Sequence, residues 1–170
     1  MARKTNITVN LVLAVNNIPQ LMAALDALEN REVLVGFPSD GKPREKGDPI
    51  TNAELAYIHN QGSPANGIPQ REFMEPGIRE VETDITARME STGRKALEGD
   101  KDAVEKGLIG VGLIAEAGIK SKIVAGPFQA LAPSTIRARQ RQGMTRTEPL
   151  DATGQMLAAV TSVVRTREPH

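Results

Sequence analysis

Two adjacent stretches of helical periodicity, one from Glu75 or Pro76 to about Leu97 and one from about Lys101 towards Val124, constrain the fold of this chain most. Apolar residues recur at Ile78, Val81, Ile85, Met89 and Ala96 in the first and at Val104, Leu108, Val111, Ala115 and Ile119 in the second, a spacing that gathers one helical face. Gly99-Asp100 breaks the pattern between them, so the two are expected to pack as a helical hairpin. The second stretch also holds Gly107, Gly110, Gly112 and Gly118, each of which costs about 1 kcal/mol of helix propensity relative to alanine. Glycine in such a stripe points to close backbone approach, with a kinked or partly broken helix as the alternative.

The remaining pattern places strands at opposite ends of the chain. Ile7 to Val15 is β-branched and partly alternating, Ile18 to Glu29 reads as a helix with Leu21, Leu25 and Leu28 on one face, and Arg31 to Phe37 reads as a strand. Pro133-Ser134-Thr135 opens a short helix, with Ser134 available as a cap. Leu150 to Ala159 reads as another helix, with Asp151 as its N-cap, leading into a strand from about Val160 to Arg165. Joining the late strand to the early pair gives an α+β fold: a small mixed or antiparallel sheet covered by two long helices and short helices, as one domain over residues 1–170. Polar loops near 38–49 and 137–147 lack apolar anchors and are expected to be mobile until a neighbour orders them.

Composition narrows the chemistry. With 21 basic and 21 acidic residues the chain has no net field to draw it to nucleic acid or anionic membranes. The aromatic residues are Phe37, Tyr57, Phe73 and Phe128, too few for base-stacking platforms, so the core rests on aliphatic side chains and Met. Without cysteine there is neither a disulfide framework nor a thiolate metal site, and cytosolic assembly is expected. The apolar run at Gly107 to Ile119 is too short to span a bilayer and contains Glu116, and no cleavage site follows Ile7 to Val15, so no membrane partner and no secretion are expected.

Thr51 to Arg79 carries the most organised motif. Thr51 and Glu54 have capping-box spacing, Gly62 ends the helix they start, and Pro64, Asn66-Gly67 and Pro69 force a turning connection. Ala56, His59 and Gly62 form an A-x-x-H-x-x-G element, and Ile68, Pro69, Arg71 and Phe73 an I-P-x-R-x-F element. Further on come Ser134, Thr135 and Arg139, then Pro149, Leu150, Thr153, Gly154 and Gln155. These elements, in this order and over roughly half the chain, resemble the neck and tail-completion proteins of long-tailed bacteriophages. Here Asn60 and Glu72 stand where those proteins often carry an acid and a proline. The resemblance implies a non-enzymatic virion component at the head-to-tail junction or upper tail end, assembled in the host cytoplasm. It implies a closed homo-oligomeric ring, with a hexamer preferred because long non-contractile tails have sixfold symmetry. Its neighbours would be head-closure and tail-tube or tail-terminator proteins, with non-specific contact to DNA passing through the lumen.

Candidate interface residues are Tyr57, His59, Ile68, Pro69, Arg71, Phe73 and Met74, together with Arg137, Arg139 and Arg141. Phe73 and Met74 follow a rigid turn and suit either a core or a neighbour's groove, while the arginines suit phosphate or an acidic partner. Catalytic readings are weaker. His59 with Glu54 or a nearby hydroxyl suggests a small hydrolase, but the pair lacks metal-helix spacing. Ser134, Thr135 and Thr153 lack a nucleophile elbow, the glycines from Gly107 to Gly112 lie inside a helical pattern, and no phosphate-binding loop is present. No catalytic residue, cofactor or metal is expected; the hydrolase is the main alternative to the virion component, and a DNA-contacting accessory protein using the Arg137 to Arg146 cluster is the third.

Overall fold

The computed structural model describes residues 18–39, 50–100, 102–150 and 154–167. The expected strand from Ile7 to Val15, most of the loop over 38–49 and the cap at Asp151 lie outside them. In chain order the elements are α1 (Ile18–Glu29), β1 (Arg31–Gly36), α2 (Asn52–Gln61), α3 (Met74–Glu80), α4 (Glu82–Leu97), α5 (Ala103–Ala125), α6 (Pro133–Arg141), α7 (Gln155–Ala158) and β2 (Thr161–Thr166). The α+β class follows from these seven helices and one two-stranded antiparallel sheet among the described residues.

β1 pairs with β2 so that Val33 faces Val164 and Leu34 faces Val163. Alternation along each strand turns Val33, Val35 and Val164 towards the helices and leaves Leu34 and Val163 on the outer face. Glu32 and Arg165, also directly opposite, form an ion pair at 2.7 Å.

The expected hairpin is α4 and α5, and α5 is continuous through all four glycines. It forms the spine of two apolar clusters. Ile119 and Ile123 pack with Phe73, Met156 and Val160 near one end, while Ala103, Val104 and Leu108 pack with Ala96 near the other.

The helix expected from about Glu75 to Leu97 is in fact two helices, divided at Val81 (φ −109°, ψ 12°). The break lets both pieces meet α5 closely. Gly77 of α3 lies against Gly118 and Ile119, Val81 packs over Gly118, and Thr92 of α4 fills the space beside Gly107.

α1 has the predicted range, but its inward face differs from the leucine stripe. Ala24, Ala27 and Leu28 pack, like Val33 and Val164, against the second cluster, whereas Leu25 is exposed with Ile18 and Met22. Small side chains let this helix approach the hairpin more closely than a leucine ridge would. Ala132, not Ser134, occupies the cap position of α6, and it makes no side-chain cap bond. The last short helix begins at Gln155, after the left-handed Gly154 (φ 74°), rather than near Leu150, which itself adopts φ 66° and buries its side chain in the first cluster.

A Cβ at Gly77 would lie 2.8 Å from the Ile119 Cα, and backbone cannot move aside as a flexible side chain can. Gly77→Ala therefore gains about 1 kcal/mol of helix propensity but loses about 1–3 kcal/mol to overpacking, so its urea midpoint falls. Gly93 in α4 has open space around the same position, and Gly93→Ala raises the midpoint by up to about 1 kcal/mol equivalent.

The Glu116 carboxylate links α5 to β2. Burial pushes its pKa up, but the Ser162 hydroxyl, donating at 2.7 Å, and Lys120 at 3.0 Å outweigh that and hold it below the ordinary carboxylate range. A folded-state value below the unfolded one means the contribution is complete above about pH 4.3 and is lost as pH falls through the depressed value. Ser162→Ala thus lowers stability at neutral pH and flattens its acid-side loss, as read from urea midpoints between pH 7 and pH 3.

Candidate interface

The motif residues are held by an ordered sequence of local bonds. Thr51 and Glu54 close a capping box: the Glu54 amide donates to Thr51 Oγ1 at 3.2 Å and the Thr51 amide donates to Glu54 Oε2 at 2.7 Å. These bonds, the Thr51 backbone N–H foremost, keep the Glu54 carboxyl below its usual pKa. The Glu54 carboxylate is therefore engaged at the start of α2 and is not aimed at His59.

At the other end of α2, Gly62 adopts φ 77° and donates its amide to the Ile58 carbonyl at 2.7 Å. A side chain there would meet the Gln70 amide nitrogen at 2.8 Å as well as strain the backbone. The chain next makes a single 3₁₀ turn at Pro64–Asn66, clamped by paired bonds between Ser63 and Ile68 at 2.8 and 3.0 Å. It then runs extended alongside the end of α2, where the Arg71 amide donates to the His59 carbonyl at 2.8 Å.

Extended backbone sends residues two apart to the same side, which explains the R-x-F spacing. Arg71 and Phe73 both turn inward, while the exposed Gln70 and Glu72 bond each other outside at 2.7 Å. Phe73 is completely enclosed, meeting Phe37 edge to face with ring centroids 6.1 Å apart. It is a core anchor of its own chain, so the alternative of a plug for a neighbour's groove is not what this structure holds. Arg71 is only 5% exposed; its Nε and Nη2 donate to the Gln129 carbonyl at 3.4 and 3.3 Å. Burial, and then the charge of Arg139, lower its pKa from the usual arginine value.

Asn60 supplies a tie that local spacing does not reveal. Its Oδ1 accepts from the amides of Phe73 and Met74 at 3.1 and 3.2 Å, satisfying donors at the start of α3 from thirteen residues upstream. An aspartate at this position would offer the same acceptor to the two amides. Gln129 was equally hidden, since it takes part through its backbone carbonyl.

The structure separates the other candidates. Tyr57 is 69% exposed, Ile68, Pro69, Met74 and His59 are half-buried, and Arg137 and Arg141 point outward. Arg139 is half-buried, and its Nη1 donates to the Arg146 and Glu148 carbonyls at 3.2 and 2.9 Å. The arginine run is therefore not one face: two-residue spacing on a helix turns Arg139 away from its neighbours. The cleft beside the turn, about 380 Å³, is lined by Gln61, Gly62, Pro64, Ile68, Gln70 and Gln129 among others, all uncharged. No group of His, Asp and Glu among the described residues is placed to hold a metal ion.

Compared with protein-family profiles, curated proteins and solved structures, the chain matches none of them.

Two substitutions test this framework. Asn60→Ala costs about 1 kcal/mol, within the 0.5–2 kcal/mol typical of lost caps, whereas Asn60→Asp restores stability at neutral pH by accepting the same bonds beside the helix start. Phe73→Ala costs about 3–5 kcal/mol in equilibrium unfolding, because the ring is fully enclosed.

Proposed function

We propose that this chain is a structural, non-enzymatic component of a bacteriophage virion. In this reading it works at the head-to-tail junction or upper tail end and assembles in the host cytoplasm into a closed homo-oligomeric ring, preferably a hexamer. Its neighbours are then head-closure and tail-tube or tail-terminator proteins, with DNA passing through the lumen. The family and the location rest on the motif resemblance. The structural observation that supports an assembly role is the pattern of exposed apolar side chains.

These side chains are grouped by geometry rather than scattered. Ile18, Met22 and Leu25 lie at i, i+4 and i+7 on α1, Ile109 and Leu113 lie at i and i+4 on α5, and Leu34 sits opposite Val163 on the outer sheet face. Leu113 and Val163 are 58% and 54% exposed. Apolar groups placed together on the surface mark contact sites, and head-to-tail contacts that close generate rings. The engagement of Glu54 in the capping box favours this reading over a hydrolase that pairs it with His59.

Native mass spectrometry and light scattering over a range of concentrations should show a closed oligomer. Ile109→Glu with Leu113→Glu should weaken assembly while shifting monomer stability by no more than about 0.5 kcal/mol per exposed site. A chain that stays monomeric at every concentration, and supports head-to-tail joining equally well with both substitutions, would overturn the proposal.

A further inference from the structure

Three cations share one small cleft beside the turn of the α4–α5 hairpin. Arg88 and Lys95, on one face of α4 with the Ser91 hydroxyl, and Lys106 in the first turn of α5 line a recess of about 110 Å³ that holds a single carboxylate, that of Asp100. Asp100 is partly engaged, since its Oδ1 accepts from the Asp102 amide at 3.0 Å. Lys106 reaches Asp102 at 3.1 Å, but both side chains are about 70% exposed and water screens the pair. Arg88 is fixed in place. Its guanidinium lies on Gly110, where a Cβ would stand 2.5 Å from Nε, and its Nη2 donates to the Lys106 carbonyl at 2.9 Å. That carbonyl is its one acceptor among the described residues, and the buried Nε has none, so most of its five donors are unanswered. α5 starts in the same cleft without a side-chain cap at Asp102, which adds the partial positive charge of a helix start.

We propose that this cleft binds a terminal phosphate group, as the free ion or as a phosphate monoester. The chain as a whole is neutral, yet this recess has three cations against one carboxylate, so an anion entering it meets a local surplus of positive charge. The donors come from two helices: a guanidinium and an ammonium from α4 and an ammonium from α5. Donors spread in this way suit the tetrahedral oxygens of phosphate better than the flat edge of a carboxylate. Size selects within that class. Water takes about 30 Å³ per molecule in the liquid, so 110 Å³ is room for one tetrahedral group, whereas a phosphodiester must continue in two directions. A phosphate held here ties α4 to α5 next to the crossing of Thr92 and Gly107 and so stiffens the hairpin.

The test melts the full chain in sodium phosphate, phenyl phosphate, dimethyl phosphate or chloride at matched ionic strength. Phosphate also raises Tm by exclusion from the surface, but that effect does not saturate. A site gives a saturable rise of about 3–6 °C at phosphate tenfold above its Kd. Lys95→Gln with Lys106→Gln, both on exposed side chains, should abolish the saturable part, while Arg137→Gln with Arg141→Gln, which removes as much charge away from the cleft, should keep it whole. The reading is the difference between salts within each variant, so a change in basal stability does not obscure it. A saturable rise with phosphate alone identifies the free ion, and one with phenyl phosphate as well identifies a monoester. No saturable rise with either, a rise unchanged in the double lysine variant, or an equal rise with the diester dimethyl phosphate would each overturn the site. None of the cleft's charged residues belongs to the exposed apolar patches, so the assembly reading stands or falls separately.

Discussion

The close crossing of α5 by its neighbours is the contact on which the rest of the structure depends. Gly118 meets Gly77 of α3, Gly107 meets Thr92 of α4, and Gly112 meets Ser162 and Val33 of the sheet. One fully buried ring, that of Phe73, is all that the described core holds, and its other fully buried large side chains are Ile119, Ile123 and Val160. Dispersion between small side chains falls steeply with separation, so such a core is cohesive only where backbones come close. Glycine in α5 gives up helix propensity to achieve that proximity at three separate crossings.

That crossing also places the motif. Phe73 enters the cluster containing Ile119 and Ile123, which fixes the end of the extended segment against α5. Asn60 then fixes the start of α3 against α2, and the Arg71 amide bond to His59 fixes the segment between them. Arg71, two residues before Phe73, is carried inward by the same backbone that delivers the ring. The burial of a cation is thus a geometric consequence of anchoring Phe73, offset in part by the Gln129 carbonyl.

Much of this was legible in the residues. The limits of α1, the strands β1 and β2 to within a residue, the capping box, the stop at Gly62 and the hairpin of α4 and α5 all follow from period, caps and breakers, which are local signals. What escaped is non-local. Val81 fits the apolar stripe and gives no sign of a break; the break arises from the demand that Gly77 and Thr92 both reach α5. Alanine was outranked by leucine in reading α1, because periodicity weighs hydrophobicity while the packed helix also weighs bulk. Ser134 has the chemistry of a cap but sits one residue inside the helix, after Pro133. Leu150 occupies a backbone region that leucine rarely adopts, held there by the burial of its side chain.

The arginine helix shows how spacing divides a run of like charges. Arg137 and Arg141, four residues apart, share the outward side of α6, while Arg139 between them is rotated by roughly 200° and closes the turn over Arg146 to Glu148. The sequence presents one cluster, but the helix presents two surfaces with different partners. Outward charges contribute little to stability and act mainly in orienting an approaching partner. The inward arginine is bonded instead to the backbone of the turn that follows the helix.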